Sequence, residues 1–541
     1  MKVELPRLFV IDSKDAWRNR QELYGYAHTD QELILESSGF KAALARKDID
    51  VRALTEGRFC LVYSDDNSLL AKTDGMAQET IFYYVVDGYW ALSNSMLALV
   101  ERVRKRGCTL KAYPPSAIAM TIANQSMWGG QPLSFNTMVE GVRILPADNC
   151  ICITWRENGF DFQIQEAQCE TLDGDYPELL CDYISNFFSL AHALVEAGYS
   201  FRVDVSGGKD TRLTFGLMAN ASLDQEKVEY WTDVSKPADL PIAETLRRMY
   251  GIGSWSAIRR RTPCSVADAF RAWQLGCAGV YSPLYFPKST SSASELKVSG
   301  ANFADPVYRP DSPVKRAKIL GRKCPDPVLA MVVEREMLSA FDNSKLNLAD
   351  RFSMDWHYTN FRSRFHYGRN WYKSLNAPLV SPLVSKKLSN ITRLLPPDTY
   401  DRGQLRADIM AILDQRLLEV PFDSPEKSFD TEIVQRSRSL VSRLGLGRHD
   451  LLEKGSALSV YGEPLLENKA GAKEQFDNKE FLDLMSAELH RAETVSVLKL
   501  FGVPDEIYER GKKQMQSRSL GKEKSAAAFC VLTAELGKHV Q

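Results

Sequence analysis

The chain has 541 residues, enough for two or three domains with well-buried cores. Apolar residues make up 44% and charged residues 25%, which excludes a chain dominated by disorder. A net charge of −1 gives nucleic acid no electrostatic hold, and no run reaches the roughly 18 apolar residues of a membrane span, so neither is an expected partner.

Ten cysteines occur without a Cys-x-x-Cys pair. That spacing suits buried thiols in a reducing compartment better than a disulfide framework or a zinc site. The opening "MKVELPRLFVIDSKDAW" carries an apolar run too short for a signal peptide, so a cytoplasmic location is expected.

Up to about residue 170 the signals are short β runs. "FCLVY", the turn "SDDNS", Leu69 to Lys72, "TIFYYVV" and "YWALS" read as a meander, with further strands at "GVRILPADNCICITW" and "FDFQIQ". The pattern then changes, and "LLCDYISNFFSLAHALVEAGY" has helical spacing. A boundary here divides the chain into 1–172 and 173–541.

Next come "FRVDV", a Gly-rich bend, a helix through Leu213, Leu217 and Met218 to Asn220, the strand "VEYWT" and the helix "ADLPIAETLRRMYGI". Asp239 suits the N-cap of that last helix and Gly251 its C-terminal turn. Strand, helix, strand, helix in about fifty residues predicts a parallel sheet with crossover helices. From about Asp326 the chain reads mostly helical to its end.

The bend "VDVSGGKDTR" admits two readings. Two glycines can close a hairpin. A strand, Gly-rich bend and helix opening a βαβ unit can instead cradle an anion on backbone N–H groups. Walker A is excluded, because Val203 and Asp210 fill its first Gly and last Ser/Thr positions, and the dinucleotide pattern lacks its third glycine.

What remains is Ser-Gly-Gly-x-Asp-Thr, Ser206 to Thr211, and here the chain resembles the asparagine synthetase-like family of pyrophosphate-loop ATPases. The resemblance implies that Val205, Ser206, Gly207, Gly208, Lys209, Asp210 and Thr211 hold the phosphates of ATP, with Mg2+ on Asp210. "VEYWTDVSKPADLPIAETLRRMYGI" resembles the family's second strand and helix, which places Trp231 and Thr232 at the adenine. "LKVSGANFADPVYR" resembles its second nucleotide motif, giving Ser299, Gly300 and a second metal ligand, Asp305; Asn302 and Phe303 depart from the small residues usual there.

"APLVSPLVSKKLSNITRLLPPDTYDRGQLR" resembles a later family segment, after which Lys427 in "VPFDSPEKSF" matches a lysine near the reaction centre, with Arg406 as a second cation for the same work. For the base, Asp355, His357 and Tyr358 are the candidates. Arg362, Arg364 and Arg369 beside Tyr367, Trp371 and Tyr372 read equally as an acidic-substrate pocket and as ordinary salt-bridging residues.

The β-rich half resembles the family's glutaminase-like domain, but the chain as read begins Met1-Lys2 and its first cysteine is Cys60, inside a predicted strand. No thiolate of the required kind is then expected. Beta-lactam synthetases and lasso-peptide cyclases show the same combination. The resemblance thus implies an α/β chain: an inactive Ntn-type αββα domain followed by a parallel-sheet synthetase domain with a helical C-terminal part. Its activity would be AMP-forming ligation of a carboxylate to an amine of a small molecule or peptide, within one molecule or between two. A homodimer or a pathway protein is left open as partner, as is a catalytically degenerate nucleotide- or partner-binding protein.

Overall fold

The computed structural model describes residues 7–15, 17–46, 49–122, 127–167, 173–253, 255, 262–284, 289–290, 294–301, 308, 310–324, 326–367, 379–445, 448–464, 476–517, 519 and 524–541. It is a mixed α/β structure with several sheets, one of them parallel. No helix among the described residues is long and apolar enough to cross a membrane.

Two sheets stack face to face in the β-rich half. The smaller is antiparallel and runs Val10–Asp12, Tyr89–Ser93, Phe82–Val86, Val142–Ile144. The larger has seven strands in the order Gly159–Glu166, Asn149–Arg156, Ser68–Thr73, Glu56–Ser64, Gln21–His28, Glu32–Leu35, Ser459–Tyr461. Alternation along a strand decides which layer each side chain enters. Along Glu56–Ser64, Cys60 and Val62 meet Ile11 and Leu92 between the sheets, whereas Phe59 and Leu61 face Phe40 and Ala43 of the helix Glu36–Arg46. The helix Met96–Lys105 covers the outer face of the small sheet, giving the layer order helix, sheet, sheet, helix.

The seventh strand was not predicted. Ser459–Tyr461 lies in a stretch expected to be helical, yet it pairs in parallel with Glu32–Leu35. Three residues are too few to display a period, and two glycines make the contact. A Cβ on Gly39 would lie 2.2 Å from the Tyr461 carbonyl oxygen, and one on Gly462 would lie 2.4 Å from that of Leu35.

The expected parallel sheet is present, in the order Val228–Trp231, Ser200–Asp204, Glu295–Val298, Leu379–Val380. The helices Tyr176–Glu196 and Lys209–Asn220 pack on it through Phe187, Leu194, Leu213 and Leu217. Leu379–Val380 is a second short strand inside the stretch read as helical. After the helix Ser353–His357 the chain continues as a π-helical stretch, Tyr358–Tyr367. Two cores join early and late residues: one unites Val100 and Met138 with Trp273, Phe481 and Leu532, and the other unites Leu33 and Leu35 with Ile184 and Leu217.

Candidate functional site

The strand order creates a switch point. From Ser200–Asp204 the chain passes through the helix Lys209–Asn220 to one neighbour, Val228–Trp231, and later reaches the other neighbour, Glu295–Val298. Loops leaving the two strands at their C-terminal ends diverge there, which opens the crevice where open α/β sheets bind ligands. The loop after Ser200–Asp204 is Val205–Gly208, and the loop after Glu295–Val298 begins with Ser299 and Gly300. They meet: a Cβ on Gly300 would lie 3.4 Å from the Asp210 carbonyl carbon and Cβ. Each loop is tied to an outer strand, by Val205 N–H donating to the Trp231 carbonyl (2.7 Å) and Ser299 N–H donating to that of Val380 (2.8 Å).

Within the first loop Ser206 Oγ and Thr211 Oγ1 are 2.7 Å apart, and Thr211 Oγ1 donates to the Gly208 carbonyl at 3.2 Å. Gly208 is the N-cap of Lys209–Asn220 in extended conformation and supplies no side-chain cap, so the first helical N–H groups are not spent on one. Gly207 N–H donates to Asp239 Oδ1 at 2.9 Å, and the Gly207 carbonyl accepts from Asp423 N–H at 3.1 Å. Asp239 stands at the N-cap position expected of it, but its carboxylate serves the loop and makes no cap hydrogen bond.

Charge is concentrated around this loop. Arg406 Nε lies 3.3 Å from Asp210 Oδ1, an oxygen that is buried and accepts no hydrogen bond. Lys427 Nζ lies 2.6 Å from Asp423 Oδ2, so Asp423 links the lysine to the Gly207 backbone. Lys209 sits over the Phe429 ring, 4.2 Å from its centre. Burial, reinforced by Arg406 and Lys427 and opposed by Asp210, pulls its ammonium down to about 8. Trp231 carries the Arg202 guanidinium over its ring, and Thr232 is buried with Oγ1 unpartnered among the described residues.

No protein-family model matches the chain, and no curated protein matches it.

Three residues of this site were not singled out by sequence reasoning. Asp239 looked like a cap, and Asp423 in "FDSPEK" gave no signal. Arg212 is fully buried under the loop, where it donates to the carbonyls of Leu417, Val420 and Pro421 and stacks 3.8 Å from the centre of the Phe422 ring. Burial lowers it to about 10, so it stays charged. The available signal was an arginine beside Leu213 on the apolar face of a helix.

The structure does not bring the aromatic helix to this loop. Tyr358 is buried in the other core, edge-on to Tyr308 with ring centres 5.0 Å apart. His357 is fully buried; its Nδ1 accepts from the Tyr308 hydroxyl (2.9 Å) and its Nε2 donates to the Leu133 carbonyl (3.0 Å). Burial lowers it to about 3, which fixes it as neutral packing. Arg362 donates to Gln131, and Arg364, buried, donates to the Leu145 carbonyl. Asp355 lies in the helix Ser353–His357 of that segment. Asp305, with Asn302, Phe303, Arg369, Trp371 and Tyr372, lies outside the described residues.

Chemically, the loop can accept an anion on unspent amides and two hydroxyls, beside three cations. A divalent cation fits the donor set. Asp210 Oδ1 is a hard oxygen without a hydrogen-bond donor, and magnesium sites commonly combine one or two carboxylates with ligand phosphates.

Proposed function

We propose that the chain is an ATP-dependent, AMP-forming amide ligase of the asparagine synthetase-like kind, which adenylates a substrate carboxylate and joins it to a substrate amine. One observation carries the reading: Ser206–Thr211 ends a strand, starts a helix and touches Ser299–Gly300 at the switch point of a parallel sheet. The helix–sheet–sheet–helix layering supports residues 1–172 as a glutaminase-like domain, with 173–541 as the synthetase domain.

In this reading the amides at the start of Lys209–Asn220 and the hydroxyls of Ser206 and Thr211 hold the β and γ phosphates. Lys209, largely charged at pH 7, adds a cation. Mg2+ held on Asp210, with Asp305 as its second ligand, would screen the phosphate charge from the carboxylates. Trp231 and Thr232 line the adenine. Arg406 and Lys427 stabilise the negative charge that develops as the carboxylate oxygen attacks the α phosphorus and pyrophosphate leaves. Positioning supplies much of the remainder. In this reading the amine comes from a substrate, and Cys60 is no glutaminase nucleophile: it is buried, its thiol pushed up by burial and hydrogen-bonded to the Thr80 carbonyl.

A second reading, a degenerate nucleotide-binding protein, draws on the Gly207 amide already being bonded to Asp239. Incubation of the protein with magnesium, α-labelled ATP and a panel of amino acids, dicarboxylates and short peptides separates the two. Substrate-dependent AMP and pyrophosphate are expected for the ligase. ADP and phosphate would overturn adenylation, and binding without turnover across the panel would leave the second reading.

A further inference from the structure

A cavity separate from the loop lies between the large antiparallel sheet and the opposite ends of the parallel strands. Arg58, Tyr26 and Glu79 line it from one side, and Tyr199, Leu296 and Leu379 from the other. Tyr199 immediately precedes the strand Ser200–Asp204, and Leu379 begins its own strand. The cavity therefore sits about 15 Å, one strand length, from the phosphate-type loop. About 20 Å3 is open to the centre of a water-sized sphere, room for one or two waters or a small ion.

Several acceptors around it are committed. Glu36 Oε1 accepts from Arg7, and its Oε2 accepts from Gly25 N–H. Glu79 Oε1 accepts from Arg58 Nε at 2.7 Å, and Asn94 Oδ1 accepts from Phe9 N–H. Arg58 is 4% exposed, yet its Nη1 and Nη2 are buried and have no acceptor among the described residues. Leaving a buried guanidinium half-bonded is costly, so a partner is required. The unfilled Arg58 fork favours an anion over water alone, among the guanidiniums of Arg7 and the nearby Arg364 and the carboxyls of Glu36, Glu79 and an Asp74 whose carboxyl burial pushes up. Tyr26 and Tyr199 add phenol hydroxyls that burial keeps protonated.

We propose that this cavity binds a small planar oxyanion, a one-carbon carboxylate or bicarbonate, held bidentate by Arg58 Nη1 and Nη2 between the two sheets. A guanidinium fork matches such an anion in shape as well as charge. Because Arg58 belongs to the β-rich half and Tyr199, Leu296 and Leu379 to the parallel sheet, the ligand fastens the two together.

The test is thermal denaturation of the full chain in sodium formate, bicarbonate or chloride, with total salt held constant by sodium gluconate, whose headgroup is the same but whose bulk is excluded. Formate and bicarbonate should raise Tm saturably by about 1–3 °C, and chloride less. Arg58→Lys, which keeps a charge but loses the fork, should remove the preference for formate over chloride, and Arg58→Met should remove the rise altogether. The proposal is overturned by a flat response of the native chain, or by an equal rise in Arg58→Met. Should Arg58→Met not fold, an unchanged formate preference in Arg58→Lys overturns it as well.

Discussion

The two loop glycines have different reasons for being glycine, and substituting each with alanine separates packing from ligand approach. A Cβ on Gly207 would lie 2.5 Å from Asp423 Cβ, 2.9 Å from Ile242 Cδ1 and 3.0 Å from Asp423 N. Neither glycine has a positive φ, so alanine brings no backbone strain. The cost of Gly207→Ala is overpacking against a backbone that is itself bonded to Gly207, about 1–3 kcal/mol. Across a chain of 541 residues that corresponds to roughly 1–3 °C in Tm, read by calorimetry. At Gly208 the nearest atoms to a Cβ are the Thr211 and Ser206 hydroxyl oxygens, at 3.5 and 3.7 Å. Less entropy in the unfolded chain offsets the weaker N-cap, so the net change should stay within about 0.5 kcal/mol. Yet a methyl there stands where the cradle would admit a phosphate. Gly208→Ala should therefore keep Tm and weaken magnesium pyrophosphate binding at least tenfold, measured by titration calorimetry. Unchanged Tm in Gly207→Ala would refute the packing argument; unchanged pyrophosphate affinity in Gly208→Ala would refute the cradle at that position.

Arg212→Met should strand three carbonyls beneath the loop and cost about 2–4 kcal/mol in urea unfolding. For Lys209, whose folded value near 8 lies below the ordinary 10.5, the unfolded chain holds more protons between pH 8 and 10.5. Stability from this group therefore rises with pH across that window. Pyrophosphate affinity should move the other way, falling several-fold from pH 7 to 9, and Lys209→Met should flatten that fall. Arg406→Met breaks a half-exposed ion pair with Asp210, so Tm should change by under about 2 °C. Substrate-dependent AMP formation should drop more than tenfold. The Cys152 thiol is drawn below the usual thiol range by its hydrogen bond with Cys150, 3.7 Å away, and by Arg52. At pH 7 it should alkylate with iodoacetamide ahead of Cys530, which burial pushes up to about 12.

The strand, bend and helix from Phe201 to Asn220 were legible because a signature motif and an i, i+4 apolar spacing agree in one short stretch. Its helix ends at Asn220 and the next strand begins at Val228, as the spacing predicts. Leu379–Val380 and Ser459–Tyr461 were not legible, since two or three residues carry no period and their pairing is decided by partners far along the chain. The aromatic run around Tyr358 has the same composition whether it lines a pocket or fills a core, and only its ring contacts with Tyr308 and Phe135 show the latter. Asp239 and Asp423 escaped notice for a related reason: each acts through the Gly207 backbone, a long-range contact with no local pattern.

Titration of magnesium pyrophosphate into the full chain and into the Ser206→Ala, Thr211→Ala double variant measures whether the loop holds the phosphates. Removing both hydroxyls leaves the helix and its packing in place, so Tm should hold. The native chain should bind one equivalent, and the double variant should lose at least tenfold in affinity. No binding by the native chain, or equal binding by the variant, would contradict the assignment of Ser206–Thr211 as a pyrophosphate cradle.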